Sequence, residues 1–244
     1  MRLPMSLDHR SNSRIPSSIS VCGAHAAALV SLAFAAAPAC AQTSGSLTLV
    51  SEYAVRGISL GAGRPALQLR VDHDAPGGWY AGGFASPATL ALPGGNREQA
   101  ELIAYGGRAG RLPSGLSWDA GISRASFTRD SRYSYTEFHA GLALDQASVR
   151  LFLSPAYYGD ERTAYFDLNA FHPLDDKLRL TFHAGALHIF GYSGKDGNRA
   201  DLRVGIAATL GDCSLQLGLQ TVLGGPDEGP RRARALVGSA GIRF

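Results

Sequence analysis

Glu137 and His139 stand two residues apart in the run YTEFHAGLAL, with Phe138, Ala140, Leu142 and Leu144 at the alternate positions. A carboxylate and an imidazole on one face could exchange a proton or touch a metal ion, and His183 with scattered serines could supply a nucleophile and base. Two ligands do not make a metal site, and polar lining is the simpler role for Glu137 and His139. A hydrolase acting on lipid would need its serine and histidine at the apolar face, whereas His139 and His183 share faces with Glu137 and Arg179. The sequence therefore predicts a non-enzymatic protein with no catalytic residue, no metal and no cofactor.

The same spacing recurs along the chain. Arg70 and Asp72 alternate with Leu69 and Val71, and Asp201 and Arg203 alternate with Leu202 and Val204. A period of two sends successive side chains to opposite faces of a strand. The charged face so defined carries Glu52, Arg56, Arg70, Asp72, Glu101, Asp119, Glu137, His139, Arg150, Asp167, Arg179, Asp201 and Arg203, with Arg243 near the end of the chain. Its signs nearly cancel, so weak ion selectivity is expected of any passage it lines.

About twelve such segments of roughly ten residues are predicted, with 10 or 14 as the alternative counts. The first is read from Ser46 to Arg56, with Leu47, Leu49, Tyr53 and Val55 on its apolar face. The tenth, Ala200 to Leu210, is the most regular, and the last ends on Phe244. No segment has a helical period. Connections alternate between tight ones, "DAPGG", "DQA" and "GDC", and long ones, "PATLALPGGN", "IFGYSGKDGN" and "LGGPDEGPRRA". Turns at one end and loops at the other are expected of an outer-membrane barrel.

A soluble lipocalin-like barrel would turn the apolar face inward, but twelve strands around an apolar interior would enclose a wide dry cavity. The apolar face breaks only at His73, Arg124, His172, His188 and Arg234, all at strand ends, where lipid tolerates charge. Trp79, Phe127, Tyr133, Tyr157, Tyr158, Phe190 and Tyr192 also lie near strand ends and suit an aromatic girdle. The predicted fold is all-β: a closed antiparallel transmembrane barrel, polar within and apolar towards lipid. Closure gives every backbone amide a partner in hydrocarbon.

Residues 1–41 read as an export signal, with Arg2, Arg10 and Arg14 before the apolar stretch VCGAHAAALVSLAFAAA and the small-residue site Ala39-Cys40-Ala41. Cleavage is expected before Gln42, leaving 42–244 as the barrel; lipidation of Cys40 is a minor alternative. Removing three arginines and Asp8 from 23 basic and 20 acidic side chains leaves 20 against 19. That balance leaves no electrostatic footprint for nucleic acid. Cys213 is then the only cysteine, so no internal disulfide can form.

The runs LTLVSEYAVRGIS and RPALQLRVDHD, followed by GGWYAGGFAS, ELIAYGGRAG and LSWDAGI, resemble the TorF family of porins. The element Tyr53, Arg56, Gly57, Ile58, Ser59 is the most specific part. The chain departs from that pattern in its richness in alanine and arginine. The resemblance implies a barrel and a channel role and brings no catalytic site. An aromatic last residue, here Phe244, is the end that the barrel assembly machinery reads.

A porin-like channel in the cell outer membrane follows as the functional expectation, passing small polar solutes by passive diffusion and surrounded by outer-membrane lipid. The competing expectation is a structural or surface-binding barrel largely plugged by its own side chains, and a lipid hydrolase comes third. Glu52 with Arg56, and Arg70 with Asp72, are the pairs expected to form the constriction or brace. Oligomeric state stays open.

Overall fold

The computed structural model describes residues 42–92, 95–191, 197–225 and 235–244. The export signal, Cys40, Tyr192 and Arg234 lie outside them. Alternation alone, with hydrogen bonds running from strand to strand, folds the described chain into twelve antiparallel strands closed into one barrel. These are β1 (Gln42–Val50), β4 (Ala66–Asp74), β5 (Trp79–Leu92), β6 (Gly95–Arg111), β7 (Ser117–Phe127), β8 (Tyr135–Ala143), β9 (Ala147–Tyr157), β10 (Glu161–Pro173), β11 (Leu178–Ile189), β12 (Asn198–Leu210), β13 (Cys213–Gly224) and β14 (Leu236–Arg243). A small hairpin, β2 (Ala54–Val55) and β3 (Ile58–Ser59), stands apart. Each barrel strand pairs with its neighbours in sequence, and β1 pairs with β14 to close the ring, Ser46 opposite Arg243 and Val50 opposite Ser239.

The sidedness follows the charge pattern. Leu202, Val204 and Ile206 are 41%, 53% and 47% exposed on the outside, while Asp201 on the same strand is 6% exposed. Leu67, Leu102, Ile122, Phe138, Leu151 and Phe166 continue that exposed apolar band around the barrel. Water could not sustain such a surface on a monomer of this size. Hydrocarbon does, and the fold is a transmembrane barrel.

Inward tyrosines lie over glycines of neighbouring strands. A Cβ at Gly82 would come within 2.3 Å of the Tyr105 ring, and one at Gly121 within 2.9 Å of the Tyr80 hydroxyl. Glycine stands at these positions of β5 and β7 because rings cross them.

Three expectations change. The first segment does not run to Arg56: β1 stops at Val50, and residues 51–65 turn into the barrel. In the predicted long loop PATLALPGGN the described residues 87–92 and 95–96 are strand instead, because β5 and β6 extend past the rim, paired from Trp79↔Arg108 to Leu92↔Gly95. Ala88 and Leu90 are buried over the mouth, and the Thr89 amide donates to the Leu60 carbonyl at 2.6 Å. Apolar alternation in that stretch serves a local core, not lipid.

The aromatic girdle changes too. Trp79 and Phe190 are exposed as expected, but Phe127 and Tyr157 are buried, with Tyr133 and Tyr158 packed beside them. They join Tyr53, Leu60, Phe84 and Tyr135 in an apolar core inside the loop end of the barrel. His73, Arg124, His172 and His188 do face outward at strand ends, with Arg124 donating to Thr136 at 3.2 Å.

Candidate functional site: the lumen

The lumen is organised around the β2–β3 hairpin. Val55 pairs with Ile58, leaving Arg56 and Gly57 as a two-residue turn. Both have positive φ, 50° and 75°, the geometry of a type I′ turn, which favours glycine at its second position. Gly57 also sits where a Cβ would lie 2.3 Å from Val222 Cγ2 on β13, two strands from β1 around the ring. The turn of the hairpin that leaves β1 rests against β13, while its Arg56 reaches across the lumen to β8, β9 and β10.

Four contacts seat it. The Tyr53 hydroxyl donates to Glu101 of β6. Ser59 donates to Glu52 within the hairpin's own base. Arg56 Nη2 donates to both carboxylate oxygens of Glu137 on β8, at 2.8 and 2.9 Å. The guanidinium also lies over the Tyr165, Tyr157 and Phe152 rings, 4.3, 5.0 and 5.4 Å from their centroids. Tyr53 belongs to the connection and not to a spanning strand; burial pushes its phenol well above the ordinary range and Glu101 adds to the shift, so the phenol is the donor.

Beyond the hairpin, inward side chains form three clusters. In the first, His183 Nε2 lies 2.7 Å from Asp201 and its Nδ1 lies 3.3 Å from Asp167 and 3.0 Å from Asn169. Tyr165 donates to Asp201 at 3.1 Å, and Asn169 to Asp167 at 2.6 Å. In the second, Asp119 accepts from Arg150 at 3.0 Å and faces His139 Nε2 at 3.2 Å, with the Tyr80 hydroxyl 2.9 Å from that nitrogen. In the third, Arg70 grips Asp72 through Nε and Nη2 at 2.7 and 3.0 Å, and Tyr105 donates to Asp72 at 2.5 Å. Arg179 stacks on Phe171 at 5.5 Å.

The strand-borne residues among these point inward in the structure, and some of their pairings differ from those the alternation suggests. Arg70 and Asp72 do pair. Glu52 and Arg56 are not on a strand, and Arg56 bridges to Glu137 instead. Glu137 and His139 point to different partners, so they share no focus for a metal. Tyr53, read as lipid-facing, is buried inside; its hairpin breaks the alternation, and only the turn-forming Arg-Gly pair signalled that. Tyr80 and Tyr165 were missed, although each stands at an inward position of its strand.

The chain also contains a G-x-S-x-G spacing, Gly57 to Gly61. Ser59 lies there on a hairpin strand and donates to Glu52. A hydrolase places this serine at a strand-to-helix elbow beside a histidine. His139 and His183 hydrogen-bond instead to tyrosine, aspartate and asparagine.

A cavity of about 30 Å³ lies between the hairpin base and the β12–β13–β14–β1 wall, lined by Glu52, Arg203, Gln216, Gly218, Gln220 and Ser239. It has room for about one water molecule. The wall beside it carries Arg203, two glutamines, glycine, serine and valine, with no aromatic ring among the described lining residues, in contrast to the aromatic wall opposite.

Solved structures share this architecture. The KdgM porin superposes with a TM-score of 0.51 at 13% identity, over 82% of this chain and 98% of its own. The NanC porin in a rhombohedral crystal form reaches 0.55 at 9% identity, over 83% and 99%. A KdgM porin in complex with disordered oligogalacturonate gives 0.50 at 10% identity, over 83% and 98%. At these identities the likeness is one of fold. No curated protein sequence matches the chain. The family profile described as "Bacterial protein of unknown function (Gcw_chp)" matches residues 34–229, and the chain belongs to that family.

Proposed function

We propose that this protein is an outer-membrane porin-like channel for passive diffusion of small polar solutes, exported by residues 1–41 and held in a narrow form by the β2–β3 hairpin. The carrying observation is the inversion of the barrel: a ladder of ionised and hydroxyl groups from Glu52 to Arg203 faces inward, and hydrocarbon faces outward. An aqueous path is what such an interior suits. The YAVRGIS element supports grouping the chain with TorF-like porins, and Phe244, exposed and paired with Gly45 at the rim, is available to the assembly machinery.

One structural neighbour holds oligogalacturonate. The inward acids of this chain alternate with its arginines, which favours small neutral or mixed-charge solutes over a polyanion. The buried cluster of Tyr53, Phe84, Phe127, Tyr135 and Tyr157 inside the loop end supports a second reading, a barrel filled for structural or surface-binding use. Liposome swelling with sugars of graded size separates the two. Refolded 42–244 admits the smallest solutes, and a version with residues 53–60 replaced by a short Gly-Ser linker admits larger ones. Absence of swelling in both overturns the channel.

A further inference from the structure

The Arg56 guanidinium occupies a site built entirely by other strands. Glu137 comes from β8, Phe152 and Tyr157 from β9, and Tyr165 from β10, whereas Arg56 arrives from the connection between β1 and β4. Arg56 and Glu137 side chains are 8% and 9% exposed. A carboxylate at the head of three aromatic faces is a receptor for a planar or alkylated cation: the ring quadrupoles attract charge and the carboxylate fixes its orientation. The cavity wall is strand, so its shape does not depend on the hairpin that fills it.

We infer that Glu137, Phe152, Tyr157 and Tyr165 form a cation-binding site on the lumen wall, that Arg56 is its internal occupant, and that a solute bearing a guanidinium or alkylammonium group takes the same place when the hairpin withdraws. The site would give the passage a preference for basic solutes at one step, within a lumen whose overall charge is balanced. A tethered arginine competes at a high effective concentration, so the free cation binds the intact chain weakly and binds more tightly once the side chain is removed. The preference among transported solutes rests on the channel reading above; the wall site itself does not.

The experiment titrates methylguanidinium into the refolded, detergent-held full barrel by calorimetry and, in parallel, adds it to single barrels in planar bilayers. Heat-modifiable gel mobility confirms that each variant is folded. Expected are saturable binding to Arg56→Ala, at least tenfold weaker binding to the unmodified chain, and at least tenfold loss in Arg56→Ala with Glu137→Gln or with Tyr165→Ala; Tyr165→Phe keeps the ring and the binding. In bilayers, methylguanidinium reduces the Arg56→Ala current and leaves that of the Glu137→Gln double variant unchanged. Equal binding with and without Glu137, or none to Arg56→Ala, overturns the site. Glu137-dependent binding with no current in any variant leaves the site standing and removes the channel reading.

Discussion

Tyr53 donates its phenol to Glu101, and both are wholly buried although 48 residues separate them in the chain. The bond ties the foot of an inward hairpin to the wall of β6, at the level where Phe84, Phe127 and Tyr135 close the loop end with apolar side chains. The hairpin is held at its foot by this bond and at its tip by the Arg56–Glu137 pair.

Replacing Tyr53 by Phe keeps the ring in that core and removes the donor. Glu101 then has a buried oxygen without its partner, at a cost of about 1–3 kcal/mol. Urea unfolding in lipid vesicles should show a loss in that range, and bilayer recordings should show a larger or noisier current. Unchanged stability and current would mean that the bond does not seat the hairpin.

Val204 and Leu210 lie on the outer face of the same strand, 53% and 51% exposed, one near its middle and the other at its turn-end limit. An arginine costs roughly 2–4 kcal/mol at the bilayer midplane and roughly 0–1 near the interface. Val204→Arg should therefore destabilise vesicle-inserted protein by the larger amount and Leu210→Arg by the smaller. Equal, small effects, or a native barrel freely soluble without detergent, would contradict the outward placement of the apolar face.

Strand count and sidedness were legible because they depend only on a period of two: Asp201, Arg203, Leu202 and Val204 each lie where alternation puts them. Pairing across the lumen was not legible. Arg56 and Glu137 meet through a turn that sends the chain inward, and nothing local to either residue encodes the other. The core at the mouth was misread for a related reason. Phe127 and Tyr157 sit at strand ends, where a lipid girdle and a plugged mouth ask for the same residue types, and only the path of residues 51–65 decides between them.

Arg70 and Asp72 remain partly open to solvent, 26% and 31% by side chain, on the turn-end side of the hairpin. A pair so placed adds little stability, about 0–1 kcal/mol, so under the proposed channel function its effect falls on permeating ions. Arg70→Ala leaves Asp72 with Tyr105 and a net negative charge at that level. Reversal potentials in a potassium chloride gradient should shift towards cation preference, with little change in unfolding midpoint. An unaltered reversal potential and conductance would place this pair outside the ion path.

Gly57 tests the hairpin most directly, because two independent features demand glycine there. Its φ of 75° is left-handed, and a Cβ would lie 2.3 Å from Val222 Cγ2 of β13. The left-handed geometry alone costs a side chain about 1–2 kcal/mol, and a branched one also meets the wall. Gly57→Val should unseat the turn and carry Arg56 away from Glu137, while the twelve-strand ring, whose ladders do not include residue 57, stays closed. Gel mobility should stay that of a folded barrel, single-barrel conductance should rise, and liposomes should swell with sugars that the unmodified protein excludes. A folded variant with the original conductance and size limit would show that the hairpin does not set the width of the passage.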